Sequence, residues 1–261
     1  MPNGFEVQFF RDQGYLVLSE VLDATSLAEL RVSADAELVQ AHERRGEWDL
    51  LEKNEVKPGQ MAAVFRLSRV MARHPAFQSV AQDPRVAEYV RALVASDAEV
   101  CVNRHNMMVV KAPYEGRQVD WHQDGVNWGH ARMVSFMVFL DDASTENGCL
   151  EIVPGAHKFG LLPTVKTSVG EGMDISDTRQ AALVRQAVPL CVPAGTGLFF
   201  HSCLPHFSKA NRSAHFRRNL TFAYVSAADK AISSSRMAPL ETLPLLATAP
   251  RIPDEICVGK A

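Results

Sequence analysis

A chain of 261 residues with 47% hydrophobic and 22% charged side chains has an ordinary globular composition and can bury one large core. A net charge of −3 and no extended Lys/Arg run argue against nucleic-acid binding by phosphate neutralisation. Five cysteines without C-x-x-C spacing suggest neither a disulfide framework nor a zinc ribbon, and no apolar run reaches membrane-spanning length, so a cytoplasmic protein with no membrane or nucleic-acid partner is expected.

Residues 5–13 read as a short helix ended by Gly14, followed by a strand at 15–18. Leu27, Leu30, Ala34, Leu38 and Ala41 recur at helical spacing, with Ser26 and Glu29 as a capping box. The polar stretch 46–61, which carries Trp48, is a surface connection or a loop over a site. Asp83-Pro84 signals the start of a further helix, with Val86, Tyr89, Val90 and Leu93 on one face.

From Glu99 the texture becomes β-rich, with short strands expected at 100–111, 133–140, 150–153, 187–192, 197–201 and 220–225. Many short strands between Gly, Pro and Asn turns indicate an antiparallel sandwich or barrel packed against the earlier helices. The expected organisation is one domain over 1–261. It comprises a mainly helical flank (1–98), a β core (99–226) interrupted by a candidate lid (161–186, helical from 176), and a proline-rich tail (227–261) forming an extended wrap.

Chemistry concentrates at His122-Gln123-Asp124. On an extended segment, residues i and i+2 share a face, so His122 and Asp124 can address one metal ion. With a distant His they make a 2-His-1-carboxylate set that leaves positions open on Fe(II). Chance alone yields about half an H-x-D in a chain with nine histidines, so the motif needs its surroundings. Those lie downstream, where the strand 197–201 precedes His206, and Arg217 opens the next strand. For the third ligand, His201 beside two Phe reads as a core or supporting residue, His157 belongs to a Pro-Gly-x-His turn, and His215 faces solvent.

Four blocks resemble the phytanoyl-CoA dioxygenase family in order and spacing over roughly residues 100 to 226. They are Trp121-His122-Gln123-Asp124; Asn147-Gly148-Cys149-Leu150 with Val153-Pro154-Gly155-Ala156-His157-Lys158; Phe199-Phe200-His201; and His206-x-Ser208-x-x-Asn211 with Arg217. The start Phe10 to Leu18 is also similar. The resemblance implies a double-stranded β-helix, a jelly-roll or cupin-like barrel of the β-rich α+β class flanked by N-terminal helices. It implies that His122, Asp124 and His206 bind Fe(II), that Arg217 clamps the far carboxylate of 2-oxoglutarate, and that Met107 and Arg66 line the cosubstrate site. An Arg fork matches a carboxylate's two oxygens. Met137 departs from the family, which has an aromatic residue there.

What the resemblance implies is a hydroxylase that uses O2 and 2-oxoglutarate to oxidise an unactivated C–H bond, releasing succinate and CO2. Retention of Asp124 disfavours halogenation, for which related enzymes carry a small residue there. Gln123, Asn127, Trp128 and Phe200 are candidate substrate contacts. A small metabolite or biosynthetic intermediate is the expected substrate, with an acyl-CoA hydroxylase or a non-oxygenase cupin-like metal protein as alternatives.

Overall fold

The computed structural model describes residues 1–44, 50–51, 64–127, 133–167, 170–229 and 240–246. Helix α1 (Gly4–Gln13) begins in a capping box, Asn3 accepting the Glu6 N–H at 2.9 Å while Glu6 accepts the Asn3 N–H at 2.8 Å. It ends at Gly14, whose φ of 80° and N–H to Phe10 O make a left-handed stop. A Cβ on Gly14 would lie 2.4 Å from His157 Nδ1, so the turn requires glycine twice over.

Strand β1 (Tyr15–Leu18) leads to α2 (Ala24–Arg44). The expected box at Ser26 and Glu29 is not the cap. Asp23 accepts the Ser26 N–H at 2.7 Å, and the helix starts two residues before Ser26, because Asp23 is an equally good cap further upstream. After β2 (Leu50–Leu51) and β3 (Val64–Ser68) come α3 (Pro75–Ala81) and α4 (Pro84–Leu93), each opening on Pro. Asp83 caps α4 as expected, whereas α3, capped by His74, is too short for its periodicity to register. The stretch 46–61 lies outside the described residues apart from β2.

The single strand expected at 100–111 is two, β4 (Ala98–Cys101) and β5 (Asn106–Lys111), separated by a turn in which His105 has φ 44°. The series continues with β6 (Val119–His122), β7 (Met133–Phe139), β8 (Leu150–Ile152) and the hairpin β9 (Thr164–Thr167) and β10 (Gly170–Met173). Helix α5 (Thr178–Val184), capped by Asp177, precedes β11 (Val188–Leu190), β12 (Gly197–His201), β13 (His206–Ser208), β14 (Arg217–Ser226) and β15 (Thr242–Pro244). The tail's one described strand, β15, pairs with β4; Ser233 to Ser235, Pro239, Pro250 and Pro253 lie outside the described residues.

Two antiparallel sheets form a double-stranded β-helix. The major sheet runs β1-β12-β7-β14-β5-β3-β2, with β4 and β15 at one end of β14, so the helical flank contributes β1 and β3 to the barrel; the minor sheet runs β11-β8-β13-β6. Along β7 and β14 side chains alternate between two cores. Val134, Phe136, Val138, Leu220, Phe222 and Tyr224 meet apolar residues of α2, α3 and α4, while Met137 and Phe139 turn inward to meet Leu150 and Ile152 of the minor sheet. With both faces covered, every residue of β7 and β14 is buried, which explains a near-continuous apolar run in β7. Truncating Phe136 to Ala would cost about 3–5 kcal/mol. Among the described residues no helix is long and apolar enough to cross a membrane.

Candidate active site

The minor sheet supplies both histidines. His122 ends β6, His206 begins β13, and they are direct cross-strand partners with ring centroids 4.1 Å apart. Trp121 and Phe207 point to the opposite face and stack at 5.2 Å, as the period of two requires. Asp124 follows β6 in a tight turn, and its Oδ1 lies 3.8 Å from His122 Nε2 and 3.6 Å from His206 Nε2. The three donor atoms lie within 4.8 Å of one another.

Each imidazole is oriented from behind. His122 Nδ1 is 2.8 Å from Asp120 O, and His206 Nδ1 is 2.9 Å from Leu204 O. A carbonyl only accepts, so both Nδ1 atoms carry hydrogen and both Nε2 lone pairs face Asp124. Burial, then the neighbouring His206, pushes the His122 pKa down to about 4, against the pull of Asp124; it is neutral and ready to ligate at neutral pH. Burial alone would raise the Asp124 carboxyl, but His105 and His206 outweigh it and hold it far below the usual carboxylate range. Two imidazole nitrogens and one carboxylate oxygen, preset in this way, fit Fe(II) with positions left open.

Arg217 lies on the other wall. On β14 the residues alternating with Leu220 and Phe222 face the barrel interior, and there Arg217 NH1 donates to Asn219 Oδ1 while Asn219 Nδ2 donates to Thr221 Oγ1 at 3.0 Å. This ladder leads toward Ala223, the cross-strand partner of Ser135. Arg217 is 3% exposed, its Nε has no hydrogen-bond partner, and no carboxylate among the described residues pairs with it. Burial lowers its pKa to about 10, partly offset by Cys149 and Asp141, so it remains a cation at neutral pH. A buried cation without an anion calls for one from outside.

Met107 and Arg66 share this interior. Met107 pairs with Thr221 and Ser68, and Arg66 pairs with Val109, itself opposite Asn219. The Arg66 Nε has no partner, and burial, then Arg117, lowers its pKa.

The tentative substrate contacts fare differently. Gln123 does not face the metal pocket. It is 1% exposed, and its amide donates to Gly160 O at 2.9 Å and Cys203 O at 2.6 Å and accepts the Leu162 N–H at 2.8 Å. Flanked by His122 and Asp124, it points the other way and ties down the segment from residue 160. Phe200 is fully buried and meets the His206 ring edge-on at 5.2 Å, a wall behind a ligand rather than an open contact. Asn127 closes the turn after Asp124, its side chain lying outside the description, and Trp128 lies outside the described residues.

His201, expected as a core or supporting residue, packs on the side away from the triad. Its Nδ1 accepts the Cys203 N–H at 3.0 Å and its ring meets Phe10 and His157. His215 is exposed. Sequence reading missed two residues, both touching Asp124: Ser135 Oγ donates to Oδ2 at 2.9 Å, and His105 Nε2 lies 2.9 Å from Oδ1. Each left a signal, a lone Ser in an apolar strand and the polar run Asn103 to Asn106 inside a β-rich one.

Comparison with known proteins agrees with this geometry. Phytanoyl-CoA dioxygenase domain-containing protein 1 from Rattus norvegicus is 30% identical over 163 residues, 60% of this chain and 55% of that protein; the match thus spans about half the length of this curated relative. Ectoine dioxygenase from Halomonas elongata is 27% identical over 238 residues, 84% of this chain and 68% of the relative. The crystal structure of EctD from S. alaskensis with 2-oxoglutarate and 5-hydroxyectoine superposes with a TM-score of 0.74 at 22% identity, covering 91% of this chain and 82% of that one. The family model for phytanoyl-CoA dioxygenase matches residues 10–219, a span that takes in the paired histidines, Asp124 and Arg217, and the chain belongs to that family.

Proposed function

We propose that this protein is an Fe(II)/2-oxoglutarate-dependent dioxygenase that hydroxylates a C–H bond of a small molecule, acting as one domain. His122, Asp124 and His206 hold the iron, and Arg217 grips the distal carboxylate of 2-oxoglutarate, with Arg66 and Met107 lining the same interior. The observation that carries the reading is Arg217, a buried guanidinium without an anionic partner among the described residues, on the inner face of the major sheet opposite the minor sheet that bears the two histidines. A cupin-like metal protein without a keto-acid cosubstrate has no use for that cation. Bound iron supplies oxygen activation coupled to decarboxylation of the keto acid. The protein's part is to fix the two Nε2 atoms and one carboxylate oxygen, neutralise the cosubstrate's far end, and exclude water.

A small metabolite is favoured as substrate because relatives along most of this chain act on compact molecules by their names, ectoine among them. With Asp124 in the carboxylate position the outcome is hydroxylation, or desaturation, cyclisation or epoxidation after the same hydrogen abstraction, and not halogenation. The segment 161–186, folded as the hairpin β9/β10 with α5 and anchored through Gln123, is the proposed lid. Free cysteines at 101, 149, 191 and 203 suit a reducing cytoplasm.

The test is anaerobic addition of Fe(II) and 2-oxoglutarate to metal-free protein. A weak visible charge-transfer band that needs both components, followed by succinate release on admitting O2 with a panel of small cyclic and amino-acid substrates, is the expected result. Iron uptake with no band and no effect of 2-oxoglutarate would instead support the cupin-like alternative.

A further inference from the structure

Asp124 is gripped from both walls of the barrel. From the minor sheet, His122 and His206 aim Nε2 atoms at its Oδ1 from 3.8 and 3.6 Å, which marks Oδ1 as the metal-facing oxygen. From the major sheet come two contacts at 2.9 Å: Ser135 Oγ donates to Oδ2, and His105 Nε2 meets Oδ1. The carboxylate can only accept, so His105 carries hydrogen on Nε2 and donates it. His105 therefore donates from the nitrogen that His122 and His206 keep free for a metal.

The backbone is arranged to deliver this contact. His105 stands at φ 44°, a left-handed conformation rare outside glycine, in the turn between β4 and β5. Its carbonyl accepts the Ala223 N–H at 2.9 Å, and Ala223 pairs with Ser135. The two donors are thus registered to each other through β14.

From these contacts the geometry points to His105 as a positioning residue that, with Ser135, holds Asp124 to one-oxygen coordination of the iron. An oxygen of a carboxylate has two lone pairs. His105 engages one of the Oδ1 pairs and leaves the other for the metal, while the hydrogen bond from Ser135 holds Oδ2 toward β7, so the carboxylate is kept from swinging to chelate through both oxygens and consume a position needed by 2-oxoglutarate or O2. Partners of this kind behind a ligand are worth about 10–100-fold in metal affinity. This inference rests on the proposed metal site and adds a third histidine that supports without ligating.

The experiment compares wild type, His105→Asn and His105→Gln by anaerobic Fe(II) competition titration and by the absorption spectrum of the Co(II) form, which reports coordination number. Asn accepts the left-handed backbone but is too short to reach Asp124, whereas Gln restores a donor at length. His105→Asn should bind Fe(II) about 10–100-fold more weakly and shift the Co(II) spectrum toward higher coordination, and His105→Gln should recover part of both. Wild-type affinity and spectrum in a folded His105→Asn would overturn the inference. So would complete loss of metal equal to that of His122→Ala, which would make His105 a ligand. Should His105→Asn not fold, imidazole nitrogen NMR of metal-free wild type decides instead: a hydrogen on His105 Nε2 supports the role and a hydrogen on Nδ1 alone overturns it. Failure of wild type to take up Fe(II) would overturn the metal-site reading itself; wild-type uptake with unaffected variants overturns only the role of His105.

Discussion

His206 is the direct antiparallel partner of His122, and the two rings sit 4.1 Å apart at an interplanar angle of 52°. One backbone register therefore sets the spacing of both nitrogen donors, and a slip of one residue on either strand would send a histidine to the outer face where Trp121 and Phe207 stack. The triad is a property of strand pairing as much as of side chains.

Iron binding should follow that pairing. In the proposed site His206→Ala removes a ligand and should abolish turnover and weaken Fe(II) binding by orders of magnitude. His201→Ala, five residues upstream but turned toward Phe10 and His157, should keep the metal. Metal content after anaerobic reconstitution checks both; retention by His206→Ala together with loss by His201→Ala would reverse the assignment.

Arg217→Lys keeps the charge and loses the planar fork, so its main expected effect is a raised KM for 2-oxoglutarate, on the order of 10-fold or more, with metal affinity unchanged. Steady-state kinetics at saturating substrate measure it. An unchanged KM in a folded variant would remove Arg217 from the cosubstrate site.

Much of this was legible in the sequence because the relevant signals are local. The His122-x-Asp124 spacing, the Gly14 stop and the Asp83-Pro84 start each depend on a few adjacent residues, and each stands as expected. Other features arise only when distant strands meet. The orientation of Gln123 depends on Gly160, Leu162 and Cys203 coming together, and its position between His122 and Asp124 made it look like a pocket residue when alternation sends it away. His105 belongs to the site through a left-handed turn and a contact across to Asp124, neither of which leaves a periodic trace. Strand β3 was hidden in the same way: a five-residue strand whose only clue is Val64, Phe65 and Leu67 beside two polar positions.

Acid should destabilise the metal-free protein in a window set partly by His201. Burial, then His157, lowers its pKa from 6.5 to about 4. Between those values the unfolded chain binds a proton that the folded one refuses, so stability is full above pH 6.5 and falls as pH drops toward 4. The loss from this group is at most roughly 3 kcal/mol. Urea unfolding at pH 7 and 4.5 should therefore show a smaller pH-dependent loss in His201→Phe than in wild type. His122, lowered in the same direction, supplies a residual slope. Identical losses in the two proteins would refute the contribution of His201.

Gln123 ties the start of the segment 161–186 to the end of β6, beside the packing of β10 on that strand, and cutting the side-chain connection tests the segment's role. Gln123 satisfies Gly160 O, Cys203 O and the Leu162 N–H together, while Gln180 on α5 donates to Pro163 O at 3.1 Å and draws the helix onto the start of the segment. Gln123→Leu would leave three backbone groups unpaired, Cys203 O buried and Gly160 O and the Leu162 N–H partly buried, at up to about 1–3 kcal/mol each to the extent that water cannot reach them. The lowest-cost relief is for 160–186 to lift and let water in, which leaves His122 and Asp124 with their own supports from Asp120, Ser135 and His105. Fe(II) affinity should then fall little, hydrogen exchange across 160–186 should rise, and succinate should form in excess over hydroxylated product because the oxidising site is no longer shielded. Were exchange to rise with coupling still tight, the segment would be a docked surface excursion; were exchange unchanged, Gln123 would not be its anchor.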